Sequence, residues 1–159
     1  MSRAPQAKKT PTTPSPPHTG HPEAIHLNAE AKEQLTTIKR RTGIKHNNVL
    51  CRWALTRSLA EPTLPNAANH ATDTALDIEW RVFTGTVGDL YWALLVQHTA
   101  DLGLECTDTT LTANLRLHLH RGLSYIHGET TGHGLDTLLK LGQQRWQQHI
   151  RDQSATPLT

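Results

Sequence analysis

The chain has 159 residues and a mass of 17.7 kDa, enough for one domain of ordinary size with tails. Apolar residues make up 36%, and no window approaches the roughly 18 consecutive apolar residues of a membrane span. No apolar stretch follows the N-terminal lysines, so a secretory signal is not expected, and two cysteines (Cys51 and Cys106) cannot build a disulfide scaffold. The expected compartment is a reducing cytoplasm.

The net charge of +2 conceals an asymmetry along the chain. Residues 1–60 hold ten Lys/Arg and three Glu, whereas residues 61–108 hold Arg81 against eight acids. Residues 109–159 carry five basic and three acidic groups. Such a dipole suits a polyanion on the first part, or subunits that meet basic end to acidic end.

Residues 1–22 contain six of the nine prolines and no acid. They read as a disordered basic arm, ending at residue 23. Order begins at Ala24-Ile25-His26-Leu27, a short extended run. Asn28 then fits an N-cap, Ala31, Leu35 and Ile38 share one helical face, and Gly43 supplies a left-handed stop. This predicts a helix over 29–42. A second helix, capped by His46 or Asn47, has Val49, Leu50, Trp53, Ala54 and Leu55 as its expected inner face and stops before Pro62.

The stretch 61–75 reads as a polar loop. Leu76, Ile78 and Trp80 alternate with charged residues, as in a strand. After the turn Gly85–Asp89, a third helix is expected over 90–102, with Leu90, Tyr91, Leu94, Leu95 and His98 on its face. Leu111, Leu115, Leu119 and Leu123 define a fourth helix by i+4 spacing, opened by Asp108 or Thr109. Residues 128–134 read as a loop. A final amphipathic helix runs from Leu135 to about Arg151, carrying Leu138, Leu139, Gly142 and Trp146. The predicted class is all-α: about five helices with one or two short extended segments.

Between Gln34 and Ala60 there is no acid, yet Lys39, Arg40, Arg41, Lys45, Arg52 and Arg57 all fall there. Phosphate binding calls for such a group, tightly clustered and next to a helix N-terminus with free N–H groups. A solvated basic face is the alternative reading. The order of elements in 24–60 resembles a ribbon-helix-helix DNA-binding module, in which two strands pair across a dimer and the second helix's N-terminus grips phosphate. Lys45 stands where that family carries a capping Ser or Thr, which does not suit a sequence-specific repressor.

A closer resemblance runs through several separated motifs. Leu27-Asn28 through Lys39-Arg40-Arg41-Thr42-Gly43-Ile44, Asn48-Val49-Leu50-Cys51-Arg52-Trp53-Ala54 and Ser58-Leu59-Ala60-Glu61-Pro62 resemble the DndE family of DNA phosphorothioation. Gly88-Asp89-Leu90-Tyr91 and Arg116-Leu117-His118-Leu119-His120-Arg121-Gly122 continue the match. The resemblance covers 24–126 and leaves 127–159 as an appended loop and helix. It implies an all-helical homotetramer that binds duplex DNA, with a preference for nicks, beside other proteins of the phosphorothioation system. It implies no catalysis of the sulfur chemistry itself.

Rival chemistries are weaker. Eleven histidines invite a metal site, but His118 and His120 project about 200° apart on a helix and no carboxylate or thiol completes a set with His120, His127 or His133. No metal or cofactor is expected. Cys51 beside Arg52 invites a sulfur carrier, although a small buried hydrophobe is the commoner outcome. Gly85-Thr86-Val87-Gly88 lacks the lysine and hydroxyl of a Walker loop. With no nucleophile placed beside a base, no enzyme is expected. Docking of an acidic protein partner on the basic half is the remaining alternative.

Overall fold

The structure, a computed structural model, describes residues 20–67, 73–132 and 134–154. Most of the arm expected over 1–23, part of the 61–75 loop, and His133 lie outside these residues.

Strand β1 (Ala24–Leu27) leads into helix α1 (Ala29–Thr42), whose two ends are chemically closed. Asn28 lies in extended backbone, and its Oδ1 accepts the Ala31 N–H at 2.9 Å. Gly43, at φ +75°, takes the left-handed conformation and donates its N–H to the Lys39 carbonyl. Ala31, Leu35 and Ile38 are buried together, as their spacing predicts.

Helix α2 (Asn47–Leu59) packs along helix α5 (Asp108–Glu129) more extensively than any other pair of elements. Thr107 caps α5 by accepting the Thr110 N–H at 3.2 Å, and Leu111, Leu115, Leu119 and Leu123 are all buried. The two helices approach closely because Gly122 has no side chain: a Cβ there would collide with the Ala54 carbonyl. The face that α2 turns inward is accordingly made of the small residues Cys51, Ala54 and Ser58, flanked by Leu50 and Leu55. This corrects the expected face in two respects. Trp53 is 37% exposed, since an indole has no room at a backbone-to-backbone contact, and Val49 is only partly covered.

β1 pairs antiparallel with strand β2 (Leu76–Glu79), with Ile25 opposite Ile78 and Leu27 opposite Leu76. Whereas the ribbon-helix-helix analogy places this strand against a second chain, β1's partner here is internal. The apolar alternation of β2 matches that of β1, so one chain supplies both strands. Trp80, read as a third inward strand residue, instead opens the short helix α3 (Trp80–Thr84). Its ring meets Phe83 edge-on at 5.6 Å and Trp92 at 5.8 Å, and His21 stacks on it at 5.0 Å.

A 3-10 turn (Gly85–Val87) precedes helix α4 (Gly88–Asp101), which places Asp89 inside the first turn rather than at the cap. The buried strip of α4 is Trp92, Leu95 and Thr99, while Leu90 is 57% exposed and Leu94 also faces outward. Trp92 is drawn in by the Trp80 cluster, and Thr99 by a 3.3 Å hydrogen bond from Asn114 of α5. Helix α6 (Gly134–Ser154) closes the described chain. Apart from the two-stranded sheet, the fold is all-α, with α3 a brief addition to the helices expected.

Gly122→Ala should lower the unfolding free energy by about 3 kcal/mol or abolish folding, because backbone rather than a flexible side chain must move. Gly128→Ala, whose Cβ would meet nothing within 4 Å, should raise it by about 0.5 kcal/mol. Denaturant melts of the two variants check the contrast.

Candidate nucleic-acid interface

Lys39, Arg40 and Arg41 occupy successive positions of the last turn of α1, where cations favour the negative end of the helix dipole. Steps of about 100° send them to three different sides. Arg40 and Lys45, which lies in the α1–α2 turn, are exposed, and Lys39 is half-exposed. None of these three side chains has a hydrogen bond or ion pair among the described residues. Arg41 differs: its Nη1 donates to the His127 carbonyl at 2.8 Å and to Thr131 Oγ1 at 3.2 Å, tying the end of α1 to the end of α5.

Arg52 and Arg57 sit on opposite flanks of the outer face of α2, about 140° apart by helical geometry. Arg52 Nε donates to the Asn48 carbonyl at 3.3 Å, and the guanidinium lies beside Gly85. Arg57 is bracketed by carboxylates, with Nη1 2.7 Å from Glu61 and Nε 3.0 Å from Glu129, and it lies 4.7 Å over the Tyr125 ring. Partial burial opposes its charge, but the hydrogen bonds to Glu61 and Glu129 outweigh this and raise its pKa. The Arg57 hydrogen bond correspondingly lowers that of Glu61. The six cations thus form an open group at the α1–α2 turn (Lys39, Arg40, Lys45), one tie behind it (Arg41), and one residue on each side of α2. Beside the open group, the N-terminus of α2 has no side-chain cap, since His46 makes no capping bond.

Beneath Arg57 lies a polar knot that periodicity does not reveal. Arg121 donates to Ser58 Oγ at 2.7 Å and to the Ser58 carbonyl at 2.8 Å. Ser58 Oγ also lies 2.9 Å from His118 Nδ1, a hydrogen bond whose direction follows the tautomer of the ring. His118 Nε2 has no hydrogen-bond partner among the described residues, and the ring stands perpendicular to that of His98, 4.7 Å away. Burial, with His98 and Arg121 adding, pushes the His118 pKa down to about 3. His98 in turn donates to the Glu61 carbonyl at 2.9 Å.

The other candidates resolve in the same way. His120 donates from Nδ1 to the Arg116 carbonyl at 2.8 Å and accepts the Asn28 N–H at 3.3 Å, so both its nitrogens serve the junction of β1 and α5. Cys51 is fully buried against α5, and burial pushes its thiol up to about 12, the reverse of what a sulfur carrier requires. The Gly85–Val87 turn is a 3-10 link into α4.

Residues 24–133 match the family described as DNA sulphur modification protein DndE. The class is therefore that of the helical proteins of DNA sulphur modification. The chain belongs to the DndE family. Its fold is similar to the crystal structure of DndE from Escherichia coli B7A involved in DNA phosphorothioation modification, with a TM-score of 0.56 and 18% identity over 68% of this chain and 99% of that one. A comparison with curated proteins finds no match.

Two measurements check the interior. A histidine that is neutral when folded but titrates near 6.5 when unfolded favours unfolding as protons are added, so stability should be full above about pH 6.5 and fall from there toward pH 3. His118→Asn should flatten that fall in acid melts. In native protein a thiol reagent should titrate Cys106 alone, with Cys51 reacting only after denaturation.

Proposed function

We propose that this chain is a DNA-binding accessory subunit of phosphorothioation, without catalytic activity of its own. The reading is that it meets the backbone of duplex DNA through Lys39, Arg40 and Lys45, with Arg52 at the side and Arg41 and Arg57 contributing field rather than contact. One observation carries this: in an acid-free stretch of the chain, three cations whose side chains have no partner among the described residues sit at the turn before an uncapped helix N-terminus. Cations that leave one turn toward several sides suit a duplex that bends, which supports a preference for nicked DNA. The buried thiol of Cys51 leaves the sulfur chemistry to other proteins of the system, and the cytoplasm is where such a system meets its DNA.

Assembly belongs to the same reading. Asp73, Asp77, Glu79, Asp89, Asp101, Glu105 and Asp108 are all exposed, so the acidic middle of the chain offers carboxylates to the basic turn of a neighbouring copy. A homotetramer follows the family resemblance.

The test is a gel shift of intact and nicked duplex with the variant Lys39→Glu/Arg40→Glu/Lys45→Glu. If each cation neutralises one phosphate, the slope of log affinity on log salt should flatten by about 2.7, equally for all sequences. A variant that keeps its circular dichroism and binds like the parent would overturn the assignment. Arg57→Glu serves as contrast. By adding a carboxylate beside Glu61 and Glu129 it should lower the melting temperature.

A further inference from the structure

Helix α6 lies beyond the residues matched by the family, which end at 133. Its first turns are anchored, with Leu138 packed on the core and Gly134 against the Arg41 carbonyl. From Gly142 to Asp152 every described side chain is exposed. An apolar stripe runs along the whole helix: Leu139 is 54%, Trp146 65% and Ile150 46% exposed, with Leu135 at its start. These four side chains fall within about 60° around the helix axis. Most helical stability in proteins comes from packing of an apolar face, and a stripe of this kind is what tertiary or subunit packing covers.

The pattern itself says what covers it. Leu135, Leu139, Trp146 and Ile150 are placed symmetrically about the Gly142–Gln143 bond. Two copies of α6 laid antiparallel therefore set Leu135 of one against Ile150 of the other, and Leu139 against Trp146, on both sides of a twofold axis. Gly142 stands at that axis with nothing within 4 Å of its Cβ position, which is room for an indole. Charge agrees with the direction. Asp136 and Arg151 lie on the same flank near opposite ends, and the antiparallel arrangement, which puts the same flanks of the two helices together, brings Asp136 toward Arg151 twice. Between them the flank carries Lys140, Gln143 and Gln147, with Lys140 one turn from Asp136 of its own helix. The open trough of about 820 Å³ between α2 and α6, walled by Trp53, Leu138 and Trp146, continues the apolar surface.

We propose that α6 pairs antiparallel with α6 of a second copy, about a twofold axis at Gly142. This contact lies outside the shared family domain, and it stands whether or not the chain binds DNA.

Leu139→Glu/Trp146→Glu in the full chain changes exposed side chains only, so its helicity should match the parent by circular dichroism. Light scattering should give the variant half the parent's mass. An equal mass in parent and variant, or a parent that is monomeric at high micromolar concentration, overturns the proposal. Cross-linking gives a second, independent reading in a Cys106→Ser background. Gly142→Cys should form an intermolecular disulfide with itself on mild oxidation, and Leu135→Cys, about 22 Å from its counterpart in the antiparallel pair, should not. Self-cross-linking at Leu135→Cys equal to or above that at Gly142→Cys overturns the antiparallel pair.

Discussion

The contact of Gly122 with the Ala54 carbonyl sets the separation of α2 and α5, and the other parts of the molecule are arranged by it. At that separation only small side chains fit between the helices, which is why Cys51, Ala54 and Ser58 share the face. The same contact turns Trp53 outward to the trough beside α6. It also brings the Ser58 hydroxyl to His118 and Arg121, and it sets Arg57 against Glu129 at the far end of α5. A methyl group at one position would disturb all of these together.

Around α2, charge is treated in three ways according to depth. Inside, His118 is kept neutral, because a charged imidazole there would face Arg121 and the cost of burial. On the half-buried flank, Arg57 keeps its charge by sharing two carboxylates and an aromatic face. At the exposed end, Lys39, Arg40 and Lys45 need no protein partner since water solvates them. The cations available to an external anion are thus the ones the interior does not use. A count of basic residues along the chain has no access to that distinction.

Much of the fold is legible in the sequence where local chemistry decides it. Asn28, Gly43 and the spacing of Ala31, Leu35 and Ile38 specify α1 to the residue, and the leucines of α5 mark its buried face. The faces of α2 and α4 are different. Hydrophobicity favours Trp53 over Cys51 and Leu94 over Thr99, but a close helix crossing favours small residues and a buried Asn114 favours a hydroxyl. Such preferences come from the partner helix, not from the helix being read. For the candidate site, residue types and the absence of acids in 34–60 are visible in sequence. Which arginines are engaged is not, because Arg57 meets Glu129 across 72 positions and Arg41 meets His127 across 86.

The same long separations carry a consequence for biosynthesis. Ser58 and its partner His118 are 60 residues apart, so α1 and α2 are complete well before α5 exists. At about 5–20 residues per second, the inner face of α2 waits several seconds for its cover. During that interval the centre of the contact strip, Cys51, Ala54 and Ser58, offers little apolar surface, and the Leu50 and Leu55 side chains on its margins are what wait for cover. The small side chains demanded by the finished helix crossing therefore also limit the apolar area that the nascent chain exposes before α5 is made.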